Sequence, residues 1–143
     1  MKIKYVLSMI LLLIGISSFA QNSVTEIETQ KGIRFITNTI GYSITGTYFF
    51  KGNEPIVELN GNGTGFYQLH EQLKRPMKWG IECDAAGVPK FVKGFDSAEY
   101  TLWYRYTDAD EDWKMVEFSI HFNKMKLFIQ GERSKDFDDK IQD

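Results

Sequence analysis

One cysteine, two histidines and three prolines in 143 residues leave few of the usual signs of chemistry. With Cys83 alone, no intrachain disulfide can form. Stability must come from a packed core, and the thiol is expected inside it as a small apolar group, or else paired between chains. His70 and His121 are too few for a metal centre. His121 shares a strand face with Glu117, but no third ligand follows at a suitable spacing. Asp108, Asp110 and Asp112 alternate like the start of a calcium loop. Trp113 stands where the turn glycine belongs and Ser119 where the distal glutamate belongs, so a solvated acidic connection is expected instead. Ser119 and His121 share a face without a strained turn around the serine. Glu58, Glu82, Glu99 and Glu117 offer carboxylates without fixing a pair. No catalytic residue, metal ligand or cofactor is assigned on these grounds.

A surplus of positive charge is also missing. Lysine and arginine number 17 against 19 acids, a net charge of −2, and no basic stripe alternates with aromatics. That excludes a nucleic-acid backbone as a natural partner, and an anionic membrane surface with it. Long apolar runs are confined to the start. Lys2 and Lys4, then "YVLSMILLLIGIS" and "SSFA", form a charged, an apolar and a small-residue region, the pattern of a secretory signal peptide over residues 1–20. The apolar run is shorter than the roughly 20 residues that a membrane-spanning helix needs. The expected location is secreted or periplasmic. Residues 21–143 then make a single domain with a frayed acidic tail from about residue 134.

What the chain does have is alternation. In "MKWGIEC", Met77, Trp79, Ile81 and Cys83 fall on one face of a strand, with Lys78, Gly80 and Glu82 on the other. Tyr100, Leu102, Tyr104 and Tyr106 repeat the pattern, as do Val116, Phe118, Ile120 and Phe122, and then Met125, Leu127 and Ile129. Asn123 and Lys124 mark a tight corner between the last two runs. "LNGNGTGFY" (Leu59 to Tyr67) has the glycines of a phosphate loop. It lacks the following Lys-Ser/Thr and leads into a β-prone run, so it is expected to be a hairpin corner of the primed type. These signals give seven to nine strands and an all-β fold. The expected architecture is an antiparallel up-and-down β-barrel of about eight strands, with a compact β-sandwich as the alternative.

Gly46-Thr47-Tyr48, the Gly/Asn-rich corner after it and the later "KWGI" strand resemble, in order, small bacterial lipocalin-like domains of the calycin type. There a Gly-x-Trp opens the first barrel strand, and Tyr48 would stand in the Trp position. The resemblance covers about Gly41 to Arg133. It implies that Arg133 packs across Tyr48, and that the barrel binds a small hydrophobic molecule without performing chemistry.

From the inward faces, the expected cavity lining is Tyr48, Phe50, Trp79, Ile81, Tyr100, Leu102, Tyr104, Phe118 and Ile120, with Arg105 and His70 as polar groups to orient a ligand. Two further functions stay open. One is a structural or protein–protein interaction module with a filled core. The other is a carbohydrate-binding module, using Trp79, Trp103 and Trp113, or a small hydrolase.

Overall fold

The computed structural model describes residues 23–137. The expected signal peptide and the end of the expected tail lie outside the described residues. Eleven strands follow in order: β1 (Thr25–Thr29), β2 (Gly32–Thr37), β3 (Gly46–Phe49), β4 (Ile56–Leu59), β5 (Thr64–Tyr67), β6 (Arg75–Cys83), β7 (Phe91–Lys93), β8 (Ser97–Tyr106), β9 (Lys114–His121), β10 (Lys126–Ile129) and β11 (Arg133–Asp136). Eight of them, β3 to β6 and β8 to β11, pair antiparallel around a closed ring. Closure is made by two pairings, β11 on β3 at Ser134↔Phe49 and β6 on β8 in the register Trp79↔Tyr104. The fold is therefore an eight-stranded antiparallel barrel with extra strands, of a kind compatible with calycin-type barrels, and not a sandwich.

The period-two pattern explains the closure. On β6, Met77, Trp79, Ile81 and Cys83 are buried inside while Lys78 is exposed. On β8, Ala98, Tyr100, Leu102, Tyr104 and Tyr106 point the same way. A sheet with one apolar face must hide that face. Eight short twisted strands do so by curling until β6 meets β8. Each large side chain thus removed from water stabilises the fold by about 1.5–3 kcal/mol.

The three extra strands do not enter the ring. β7 pairs with the start of β8. The β1–β2 hairpin joins the end of β6 through Phe35↔Cys83 and Thr37↔Ile81, then lies across the barrel's outer wall. Ile27, Ile36 and Trp103 form a small second core beneath it. Gly80 makes this possible: a Cβ there would stand 2.7 Å from Ile36. Across the wall, Gln30 donates to Asp112 at 2.8 Å and ties down the hairpin's tip.

Two expectations need correction. The frayed tail was placed from about residue 134, yet Arg133–Asp136 form β11 and Phe137 is buried. Without β11 the ring would stay open between β3 and β10, which is why a polar, weakly alternating segment is held as a strand. The corner at residues 60–63 is a hairpin, but not a primed one. Among the residues of the two Asn-Gly pairs, only Gly63 has positive φ (83°). Gly63 N–H donates to Asn60 O at 3.1 Å, and the Asn62 side chain accepts from Thr64 N–H. That carboxamide bond fixes the turn in place of the second positive φ. The Trp79 indole N–H then donates to Asn60 O and Thr64 O at 3.1 and 3.0 Å, pinning the corner from inside.

Candidate binding groove

The antiparallel order sends the connections alternately to two ends of the barrel. Residues 50–55, 68–74, 107–113 and 130–132 lie at one end, which is polar. Residues 38–45, 60–63, 84–90, 94–96 and 122–125 lie at the other, which is aromatic.

At the polar end, Arg75 donates to both Asp108 oxygens and to Glu111 while its guanidinium sits 3.8 Å above the Tyr106 ring. The hydrogen bonds from Arg75 hold the Asp108 carboxyl below the usual carboxylate range. Asp108 and Glu111 of the acidic connection are thus tied to Arg75; among the described residues no group of three or more metal-ligating side chains converges. Arg133 lies deeper and is 0 % exposed. It donates to Gln68 O at 3.0 Å and to the Glu132 carboxylate, and its guanidinium carbon is 5.2 Å from the Tyr67 ring centre. The resemblance implied a contact across Tyr48. Arg133 instead covers Tyr67, because β11 begins at the polar end where β5 finishes. Tyr48 donates its hydroxyl to Ile44 O and packs edge-on against Phe118.

Between the ends, the barrel is filled. Of the eleven residues expected to line the cavity or orient a ligand, Tyr48, Trp79, Ile81, Tyr100, Leu102, Tyr104, Phe118 and Ile120 share one continuous core. Tyr67 stacks on Tyr104 at 4.7 Å and fills this core toward the polar end. The other three lie elsewhere. Phe50 packs edge-on against His70 at the polar end, 4.6 Å between ring centres. Arg105 is on the outer wall, 5.2 Å from the Trp113 ring. His70 meets Glu132 at 3.4 Å on the surface and does not reach the interior. Cys83 is buried and unpaired, and burial pushes its thiol pKa up.

The concave apolar surface is at the aromatic end. Tyr42 and Phe122 pack at 5.7 Å, with the buried Phe137 behind both. Phe91 lies against Tyr100 at 5.3 Å. Phe95, on the turn from β7 to β8, completes an open groove of about 590 Å³, rimmed by Lys93, Asp96 and Ser97. Phe95 is 98 % exposed, Val92 71 % and Phe91 55 %. The turn beneath Phe95 is held firmly: Gly94 N–H donates to Ser97 O at 2.8 Å, and Asp96 O accepts from Phe122 N–H at 2.9 Å. Burial pushes the Tyr100 hydroxyl up to about 12, so it stays a neutral donor at physiological pH.

Phe91, Phe95 and Tyr42 were missed from the sequence because they fall in connections and a short strand, outside the long alternating runs. The available signal was large apolar residues in "KFVKGF", a turn-rich stretch that would ordinarily be polar. Compared with protein-family models, curated proteins and solved structures, the chain finds no match.

Proposed function

We propose that this chain is an exported, non-enzymatic binding protein that holds a small apolar molecule in the aromatic groove at one end of its barrel. The function is the one a lipocalin-like resemblance implies, with the ligand seated at the mouth and not in a central cup. The observation that carries it is the combination of a filled interior with rings left bare at one end. A volume of about 590 Å³ lies within the usual range of roughly 300–1,000 Å³ for small-ligand sites. Aromatic walls supply apolar burial, while Lys93, Asp96 and the Tyr42 and Tyr100 hydroxyls supply the few polar groups that orient a ligand. Export rests on the signal-peptide pattern of residues 1–20.

A protein partner is the second reading. Val92, on the other face of β7 from Phe91, and Val88 at 59 % exposure are further exposed apolar residues outside the groove, which a protein could cover and a small molecule in the groove could not.

The test is a fluorescence titration with the apolar dye N-phenyl-1-naphthylamine, on the exported chain and on a Phe91→Ser, Phe95→Ser double variant. Saturable binding of one equivalent, weakened at least tenfold in the variant, is expected. Absence of a saturable signal, or equal binding by the variant, would reject the groove as the ligand site and favour the protein partner.

A further inference from the structure

A second groove, which shares no lining residue with the aromatic one, lies on the outer wall. β1 is the terminal strand of the sheet. It pairs with β2 on one side, and no backbone hydrogen bond reaches its other side among the described residues. Facing this free edge across a groove of about 450 Å³ are Lys78 of β6, Arg105 of β8 and Trp113.

The two cations are direct cross-strand partners. Like charges so placed destabilise a sheet. Elsewhere on the described surface the arginines answer to carboxylates, as in Arg34–Glu82 and Arg75–Asp108. Lys78 and Arg105 make no ion pair among the described residues. Arg105 is instead steadied over the Trp113 ring. The amides beside them are already committed: Asn38 donates to Trp79 O, and Asn62 accepts from Thr64. The groove thus combines an unpaired strand edge with two cations that no carboxylate pairs, while Glu26 and Glu28 line it from β1.

We propose that this groove binds an extended acidic segment of a partner protein by strand addition to β1. An added strand satisfies the open backbone edge, which is what gives such modes their affinity. The side-chain pattern follows from the pleat. Ile27 faces the wall and is buried, whereas Glu26 and Glu28 face away and are exposed. Partner side chains on the Ile27 side reach toward Lys78 and Arg105. Those on the other side stand beside Glu26 and Glu28. The segment that fits has carboxylates at every second position and neutral or basic residues between them.

The experiment uses the exported chain and a fluorescein-labelled heptapeptide of alternating threonine and glutamate, read by anisotropy. Saturable binding is expected, weakened about tenfold by a Lys78→Gln, Arg105→Gln pair and further weakened by salt. The same peptide N-methylated along its backbone is expected not to bind, since it cannot extend the sheet. Both substitutions are at solvent-accessible side chains, and circular dichroism checks that the fold persists. No binding, or equal binding of an alternating threonine–lysine peptide, would overturn the proposal. Full binding of the N-methylated peptide would overturn it too, reducing the site to a charge patch. Dimerisation through β1 that survives the double substitution would assign the edge to a second copy of this chain.

Discussion

At the polar end of the barrel, Arg75 donates to both Asp108 and Glu111, and Arg133 lies among Tyr67, Gln68 and Glu132. At the aromatic end, Tyr42, Phe122 and Phe137 seal the core, while Phe91 and Phe95 remain turned to solvent. Both ends perform the same structural task, which is keeping water out of the interior. They differ in what is left over. Charged groups at the polar end find their partners within the chain, and the apolar residues exposed there, Leu73 and Leu69, carry no ring. The rings at the aromatic end exceed what closure requires, and the excess is exposed apolar surface. If the aromatic end has the proposed binding role, removing rings there should alter affinity more than stability.

The largest effect expected from this contrast is at Arg133. Arg133→Ala leaves a void and strips Gln68 O and Glu132 of their donor, a loss of about 3–5 kcal/mol on the scale of broken buried ion pairs. Arg133→Met keeps most of the volume but strips the same two acceptors, so it should recover only the part of the loss that comes from the void. Urea unfolding of the two variants separates these terms. If both lose the same amount, the charge and not the packing holds the polar end together.

Next comes the alkaline limb of stability. Burial pushes the hydroxyls of Tyr67 and Tyr100 from 10.0 up to about 12, and those of Tyr48, Tyr104 and Tyr106 also upward. A folded-state value above the unfolded one means stability that is fully present below about pH 10. It is lost as the pH rises from there through the folded values, because the unfolded chain releases those protons first. Absorbance at the tyrosinate band, followed with circular dichroism, should show ionisation delayed until the sheet signal falls. Early ionisation of the interior tyrosines with the sheet intact would contradict the filled core.

The smallest effect on stability belongs to Phe95. Phe95→Ser should shift the unfolding free energy by no more than about 0.5 kcal/mol, as for surface substitutions generally. A loss beyond about 1 kcal/mol would mean that this ring serves closure, and the contrast between the ends would narrow.

How much of this was legible in the sequence depends on distance along the chain. Alternation in β6, β8, β9 and β10 assigned their inward residues, because a period of two is a local property that any sheet must respect. "LNGNGTGFY" was readable as a corner for the same reason, although its turn type was not: the Asn62 side chain took the role expected of a positive φ. β11 was hidden, since "RSKD" becomes a strand only when β10 and β3 stand ready on either side. The candidate groove was hidden more deeply. Tyr42, Phe91, Phe95 and Phe122 come from separate connections, and no local pattern relates them. Eight of the eleven residues expected to line the cavity or orient a ligand lie on inward faces. Inwardness is periodic and therefore written in the sequence. Whether an inward face encloses space or is filled depends on which rings meet across the barrel, and that was decided by closure of β6 onto β8.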